Sequence, residues 1–428
     1  MNIILIYLGK LLSFLSKLAN LGNGSTWPGH IALKVNKKFI ENILEKSNTK
    51  IIIIAGTNGK TTTAKLIKSI LEENKNSVFH NYSGANLLNG IASSLILESS
   101  FLGKLDREYA IFEVDENVLP LILDIVLPDY ILCLNLFRDQ LDRYGEVNSI
   151  AKNWKKSLNN LTPKTTLILN ADDPAVSYLG KTTKVSVKYF GINDKNLAIN
   201  DVQNAADSVY CLNCNLRLNY KEIYFSHLGN WLCLNCNNKR AKIDLDNSNV
   251  YPLKGTYNRY NTLASFLLAK SLGLSDKIIL TALKKFKPAF GRQEIIKYKD
   301  KNVQIFLSKN PTSFNESLRT LNDMNGKNIL FVLNDNIPDG QDISWIWDID
   351  LENLIKNDQN ITVSGKRAYD MGLRIKYSDI KNFKIDSNLK KAFLFAINNT
   401  KKSDTLYVFP TYSAMLDVRK ILTGKKIL

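Results

Sequence analysis

The stretch KIIIIAGTNGKTTTAKL, Lys50 to Leu66, decides how the rest of the chain is read. Its β-rich run, Ile51 to Ala55, leads into a tight polar turn and then into a helical pattern carried by Lys65, Leu66, Lys68, Ile70 and Leu71. Gly56 and Gly59 can adopt backbone angles closed to other residues and leave no Cβ, so the N–H groups between them can turn inward toward an anion. Thr57 and Asn58 fill the turn, Lys60 adds a point charge, Thr61 and Thr62 add hydroxyls, and the positive end of the new helix points at the same place. The turn is shorter than the usual GxxxxGK[ST] loop, but it has the strand-to-helix context such a loop requires. The expected ligand is a nucleoside triphosphate, with Mg²⁺ held by the Thr61 hydroxyl.

Working outward, the chain has 428 residues and a globular composition, enough for two or three domains. Its 57 basic and 40 acidic side chains give a net charge of +17, which favours an acidic partner: nucleic acid, an anionic membrane surface or a phosphorylated substrate. The opening run MNIILIYLGKLLSFLSKLANLG lacks a basic region before its apolar part, and its apolar runs are too short to span a bilayer. We expect an amphipathic helix with Lys10 and Lys17 on one face, either packed on the body of the protein or touching a membrane surface. A cytoplasmic location is expected, with contact at the inner face of the membrane left open.

Four of the five cysteines form two CLNC pairs, Cys211 with Cys214 and Cys233 with Cys236. In a cytosolic chain this spacing is a zinc-ribbon pattern, because each CxxC turn offers two thiolates to one side of a tetrahedral ion. No open coordination position is apparent, so the zinc is expected to be structural. Cys133, in DYILCLNLF, reads as a small hydrophobe in a buried strand.

Strand candidates at Tyr109–Val114, Asp129–Leu136 and Thr166–Asn170 alternate with helical patterns, which indicates a parallel sheet covered on both faces. The ribbon, Ala205 to Lys242, reads as an insertion. After KPAFGRQE breaks the periodicity, alternation restarts through VQIFLS, NILFVLND, NITVSG and TLYVFP. The expected division is a lead-in over residues 1–49, an ATP-binding α/β domain over 50–290 with the ribbon at 205–242, and a second α/β domain over 291–428. Open parallel sheets bind ligands beyond the carboxyl ends of their strands, so Glu113, Asn135 and Asp139 become candidates, Glu113 for Mg²⁺.

The combination of GTNGKTTT, the strand-end glutamate in FEVDE, the NxxxDxLDxxG run from Asn135 to Gly145, GTYNRYN and FGRQE resembles the ATP-binding signature of the Mur ligase superfamily. The inserted ribbon, with FRDQLDRYGE, STWPGHIALK and DGQDISWIWD, resembles its MurT family. The resemblance implies a P-loop domain with an inserted ribbon followed by a Rossmann-like domain. It also implies ATP-dependent amidation of the D-glutamate α-carboxylate in the lipid II stem peptide through an acyl phosphate, with ammonia from a GatD-like glutamine amidotransferase. Carried over by position, Lys60 contacts the β and γ phosphates, Thr61 and Glu113 serve Mg²⁺, Asn258 sits beside the nucleotide, and Arg292 and Asp335 approach it as the domains close. Asp348 is implied to orient the catalytic histidine of the partner, with Asp342 the fallback.

Two departures from the pattern stand out. Gln140 replaces the histidine of the common DHLD run, and Trp154 occupies the position counted for a lysine that many of these ligases carbamylate, which puts a second Mg²⁺ in doubt. Two other readings share part of the pattern. A folylpolyglutamate synthase-like ligase has the core motifs but not the ribbon, and an ATP-switched nucleic-acid binder would use the basic and aromatic residues between Cys214 and Cys233.

Overall fold

The computed structural model describes residues 2–18, 26–81, 84–139, 147–181, 183–199 and 206–424. Gln140, Asp142, Gly145 and Ala205, named above, lie outside the described residues, as does the side chain of Lys17. Among the described residues no helix is long and apolar enough to cross a membrane.

The first sheet is six-stranded and parallel throughout, in the order β2-β3-β1-β4-β5-β6. Its strands are β1 (Lys50–Ala55), β2 (Val78–His80), β3 (Tyr109–Val114), β4 (Tyr130–Cys133), β5 (Thr166–Asn170) and β6 (Ser186–Phe190). The isoleucine run explains why β1 is central. Successive side chains in a strand point to opposite faces, so Ile51 and Ile53 enter one core while Ile52 and Ile54 enter the other. The first core holds the N-terminal helices and the helices Leu88–Glu98 and Val147–Leu158. The second holds the helices Lys60–Glu73, Thr256–Ser271 and Asp276–Lys285.

A second six-stranded sheet, order β13-β12-β11-β14-β10-β9, is made of β9 (Arg292–Tyr298), β10 (Lys301–Phe306), β11 (Asn328–Val332), β12 (Asn360–Ser364), β13 (Phe383–Ile385) and β14 (Thr405–Pro410). It is parallel except for β9, which forms an antiparallel hairpin with β10 at the edge. Ile329 and Phe331 of β11 pack on one side, Leu330 and Val332 on the other, repeating the two-core logic of β1.

Between β6 and the helix Thr256–Ser271 lies the ribbon, with a hairpin of β7 (Asn219–Phe225) and β8 (Leu228–Leu232). Its cysteine end forms a small core of its own around Leu218 and Trp231, while Tyr224, Phe225 and Leu228 at the far end belong to the second core of the first sheet. The hairpin is therefore rooted in the second core of the first sheet rather than appended to it.

The N-terminal helix, Asn2–Leu18, differs from the amphipathic expectation. Lys10 is partly buried, donating to the Ser99 carbonyl at 2.7 Å, and the solvent face of the helix is apolar.

Candidate active site

The turn after β1 has the backbone its glycines permit: Gly56 has φ 141° and Gly59 φ 93°. A Cβ on Gly59 would stand 2.2 Å from Asn261 Oδ1, so no larger residue fits. The segment after β4 straps the turn in place. Thr57 N donates to Asn135 O at 3.0 Å, Asn58 N donates to Asn135 Oδ1 at 2.9 Å, and the Asn135 amide donates back to Asn58 O at 3.0 Å. Phe137 N donates to Thr57 Oγ1 at 3.0 Å, and that hydroxyl donates to Phe137 O at 3.1 Å. This accounts for the strand ending at Cys133 instead of continuing to Leu136, because the next residues are used as a brace.

Beyond the strand ends lies a cluster of buried carboxylates, Glu113, Glu116 and Asp139, met by cationic groups. Thr61 Oγ1 donates to Glu113 Oε2 at 2.7 Å, His80 Nε2 lies 2.7 Å from Glu113 Oε1, and Arg292 Nη2 donates to Thr61 Oγ1 at 3.3 Å. Lys60 Nζ donates to the Gly56 carbonyl and lies 3.2 Å from Glu116 Oε2. Lys309, from the turn after β10, forms an ion pair with Asp139. Burial pushes the Glu113 carboxyl up, but the hydrogen bond and charge of His80, helped by Thr61 and Arg292, outweigh it and hold it below the usual range. Glu116 is likewise held low, with Lys60 and then Lys309 overcoming burial. Asp139 is raised, because burial and the neighbouring Glu116 charge outweigh Lys309. Against its own desolvation, Lys309 is held above its ordinary value by Asp139 and Glu116, so it stays an ammonium.

This donor set fits a hard divalent cation. A hydroxyl and a carboxylate oxygen 2.7 Å apart need separate by only a few tenths of an ångström to reach the ~3.0 Å edge of an octahedron whose metal–oxygen distance is about 2.1 Å. Next to it, a cleft is lined by Asn58, Gly59, Thr62, Tyr257, Asn258 and Arg292, with Phe225 of the ribbon hairpin at its wall. Asn258 is oriented by donating to Lys254 O at 2.8 Å and by accepting from the Asn261 amide at 3.1 Å. Gln293 ties the second sheet to this wall through Lys254 N at 3.1 Å and the Tyr257 hydroxyl at 2.7 Å.

The structure thus brings Gly56, Thr57, Asn58, Gly59, Lys60, Thr61, Thr62, Glu113, Asn258 and Arg292 to one place. Asp335 is not among the residues lining the cleft and pairs with Arg367 at 3.5 Å. Asp348 ends the short 3₁₀ turn Ser344–Asp348, is 43% exposed, and lies 3.5 Å from Arg138 Nη1. Asp342 accepts from Ser344 N at 2.8 Å, as a turn cap does. Trp154 is fully buried and donates to the Glu116 carbonyl at 2.7 Å, so a cap on the backbone stands at the position counted for lysine. Glu116, His80 and Lys309 are additions that the motifs did not single out. Glu116 was visible in FEVDE, but nothing in a list of strand-end acids says which one meets Lys60.

The four cysteine sulfurs lie within 4.8 Å of one another, Cys211 to Cys236 at 3.5 Å and Cys214 to Cys233 at 3.4 Å. A tetrahedral ion with metal–sulfur distances of about 2.3 Å needs edges near 3.8 Å, so the set fits zinc. The two CLNC turns are built alike. Each is followed by an asparagine with positive φ, Asn215 at 59° and Asn237 at 55°, and each first cysteine donates its N–H across the turn, to Leu216 O at 2.8 Å and Asn238 O at 2.7 Å. The Leu216 backbone N–H, helped by the Asn235 side chain, pulls the Cys214 thiol down to about 6, favouring the thiolate a metal requires.

A phosphate loop beneath a cleft that a second α/β sheet closes from the side is the plan of an ATP-dependent ligase of the Mur class. Residues 54–269 match the Mur ligase middle domain model and residues 307–415 the MurT ligase C-terminal model. The chain is 35% identical, over 88% of each sequence, to the MurT subunit of lipid II isoglutaminyl synthase (glutamine-hydrolyzing) of Staphylococcus aureus (strain COL). To the same subunit of Streptococcus pneumoniae (strain ATCC BAA-255 / R6) it is 31% identical over 96% of this chain and 95% of that one. Its fold also matches a pseudomurein peptide ligase type C from Methanothermus fervidus, with a TM-score of 0.67 at 22% identity over 92% of this chain and 84% of the other. The chain belongs to the MurT family of Mur ligases.

Proposed function

We propose that the protein is the synthase subunit of a lipid II isoglutaminyl synthase: it converts the D-glutamate α-carboxylate of the lipid-linked stem peptide to the amide, at the expense of ATP. A carboxylate oxygen attacks the γ-phosphorus, ADP leaves, and an acyl phosphate forms. Ammonia then attacks the carbonyl carbon and phosphate departs, giving D-isoglutamine. The observation that carries this reading is that Lys60 of the phosphate loop meets two cations of the second sheet's edge, Arg292 on Thr61 and Lys309 beside Asn58 and Gly59 in the same cleft. Cations preset around a transferring phosphoryl group stabilise charge without reorganising.

Lys60 neutralises the β and γ phosphates, and the amides from Gly59 to Thr62, at the start of the helix, cradle them. Arg292 closes from the second sheet over Thr61. Asn258 and Tyr257 line the nucleotide cleft beside Phe225. When bound, Mg²⁺ supplies further charge neutralisation on the phosphates, with Thr61 and Glu113 to hold it. Excluding water from this cleft protects the acyl phosphate from hydrolysis.

Ammonia comes from a GatD-like glutaminase partner. Asp348 stands at the surface on a fixed turn, and it reaches across to orient the histidine that activates the partner's cysteine. The test reconstitutes the chain with a glutaminase subunit, ATP and a lipid-linked muropeptide, and follows phosphate release and carboxylate-to-amide conversion by mass spectrometry. Asp348→Asn should leave ammonium-driven amidation near wild type while lowering glutamine-driven amidation on the order of a hundredfold or more. No amide with either nitrogen source would overturn the reaction. Equal effects on both would remove Asp348 from the interface.

A further inference from the structure

The N-terminal helix packs Leu5 and Ile6 into the first core, and Gly9 lets it sit against the helix Leu88–Glu98, since a Cβ there would stand 2.7 Å from Ile96 Cγ2. Its opposite face is just as apolar. Ile4, Leu8, Leu11, Phe14 and Leu15 are 49–63% exposed, where a surface helix of a globular protein would carry charge. The face is extended by neighbours. Tyr7 stacks on Phe101 at 4.9 Å, Leu102 beside it is 73% exposed, and the next helix, Trp27–Val35, presents Trp27 at 70%. An apolar surface of this extent on a rigidly packed element calls for an occupant.

Charge selects which one. The first 40 residues contain five lysines, Lys10, Lys17, Lys34, Lys37 and Lys38, and no aspartate or glutamate. Lys34, Lys37 and Lys38 are exposed. Protein interfaces are depleted in lysine, whereas helices lying in a membrane interface pair an apolar face with lysines and aromatic residues. At 17 residues the helix is about 25 Å long, short of the ~30 Å hydrocarbon core, and it is fixed to the fold along its inner face.

We propose that this face docks on an anionic phospholipid bilayer, with the helix lying flat at the headgroup level and the exposed Lys34, Lys37 and Lys38 against lipid phosphates. The docking stands on the surface itself. Its use, holding the cleft near a substrate anchored in the same bilayer, rests on the reaction proposed above.

The full-length chain is sedimented with vesicles of equal phosphatidylglycerol and phosphatidylcholine, and with vesicles of phosphatidylcholine alone, at low and high salt. Binding should favour the anionic vesicles by about tenfold or more and weaken with salt, since each lysine near such a surface contributes about fivefold. The variant L8E/L11E, altered at two half-exposed positions, should lose binding by a similar factor while keeping its melting temperature and its ATP-dependent amidation of a soluble muropeptide. Equal binding to neutral vesicles, no binding to either, or wild-type binding by L8E/L11E would overturn the proposal. So would light scattering that shows a self-complex or glutaminase complex lost in L8E/L11E without lipid. Anionic binding with no amidation of any substrate would count against the proposed reaction alone.

Discussion

Both sheets sandwich a central strand between two cores, but the ends of those strands are treated differently. Beyond β1 the chain makes a glycine turn that borders the cleft, and Asn135 and Thr57 brace it by taking up the Thr57 and Asn58 N–H groups and the Phe137 N–H. Beyond β11 the polar groups satisfy one another. Asn334 donates to Ser413 Oγ at 3.1 Å and accepts from Lys366 N at 3.0 Å, Asp339 accepts from Ser413 N at 2.7 Å, and Asp335 pairs with Arg367. The first strand end is kept open for a ligand and the second is closed on itself. The second sheet instead acts through its antiparallel edge, where Arg292 begins β9 and Lys309 follows β10. One sheet therefore supplies the phosphate loop and carboxylates, and the other supplies cations that complete the site only when the two are together.

The largest break in this comparison is at the first sheet. Lys60→Ala should lower ATP turnover on the order of a thousandfold, since preset charge on a transferring phosphoryl group is worth that much. Phosphate release and a melting curve check it. Unchanged turnover in a folded variant would remove the loop from the reaction.

Lys309→Met tests the second sheet. It removes the ammonium that holds Asp139 and helps hold Glu116, and turnover should fall about a hundredfold, with Lys309→Arg recovering part of it. A pH signature distinguishes this from general damage. The folded Asp139 carboxyl is already raised, so its burial costs stability as pH rises from the unfolded value through the folded one. Without Lys309 that rise is larger. The stability deficit of the variant, read from urea midpoints, should therefore be greater at neutral pH than in mild acid, where Asp139 takes up a proton. A deficit independent of pH would mean that Lys309 and Asp139 are not coupled.

The same split explains what could be read in the sequence. β1, β3, β5, the glycine turn and the four-cysteine cluster were legible because each is a local pattern: an apolar run, two glycines, or paired cysteines whose geometry follows from a few adjacent residues. Arg292 was legible only through the family resemblance, and Lys309 not at all, because no spacing links it to an acid 170 positions earlier. The count from Asp139 that ended on Trp154 found a buried ring where a carbamylated lysine was sought, and the lysine that meets Asp139 comes from the other sheet as an ammonium. Glu113 and Glu116 illustrate a finer limit. Both stand at the end of one strand, and only the packed structure assigns the first to Thr61 and the second to Lys60.

The smallest expected effect sharpens the comparison by asking whether the ribbon belongs to the first side of the site. Its cysteine end is remote in character, a separate small core, but the β7–β8 hairpin that joins the two CLNC turns carries Phe225 to the cleft wall, 5.2 Å from the Phe137 ring that follows the phosphate-loop brace. Zinc release loosens the base of that hairpin without touching Lys60, Arg292 or Lys309. Cys211→Ser should therefore lose zinc and raise KM for ATP about tenfold, the equivalent of ~1.4 kcal/mol of lost nucleotide contact, with kcat changed little. Phe225→Ala should raise KM to a similar degree with zinc fully retained, because it removes the same wall directly. Agreement of the two variants in KM, together with their difference in zinc content, would identify the ribbon as a support for the nucleotide. A zinc-free Cys211→Ser protein with wild-type KM would leave it a separate module whose hairpin holds its place without the metal.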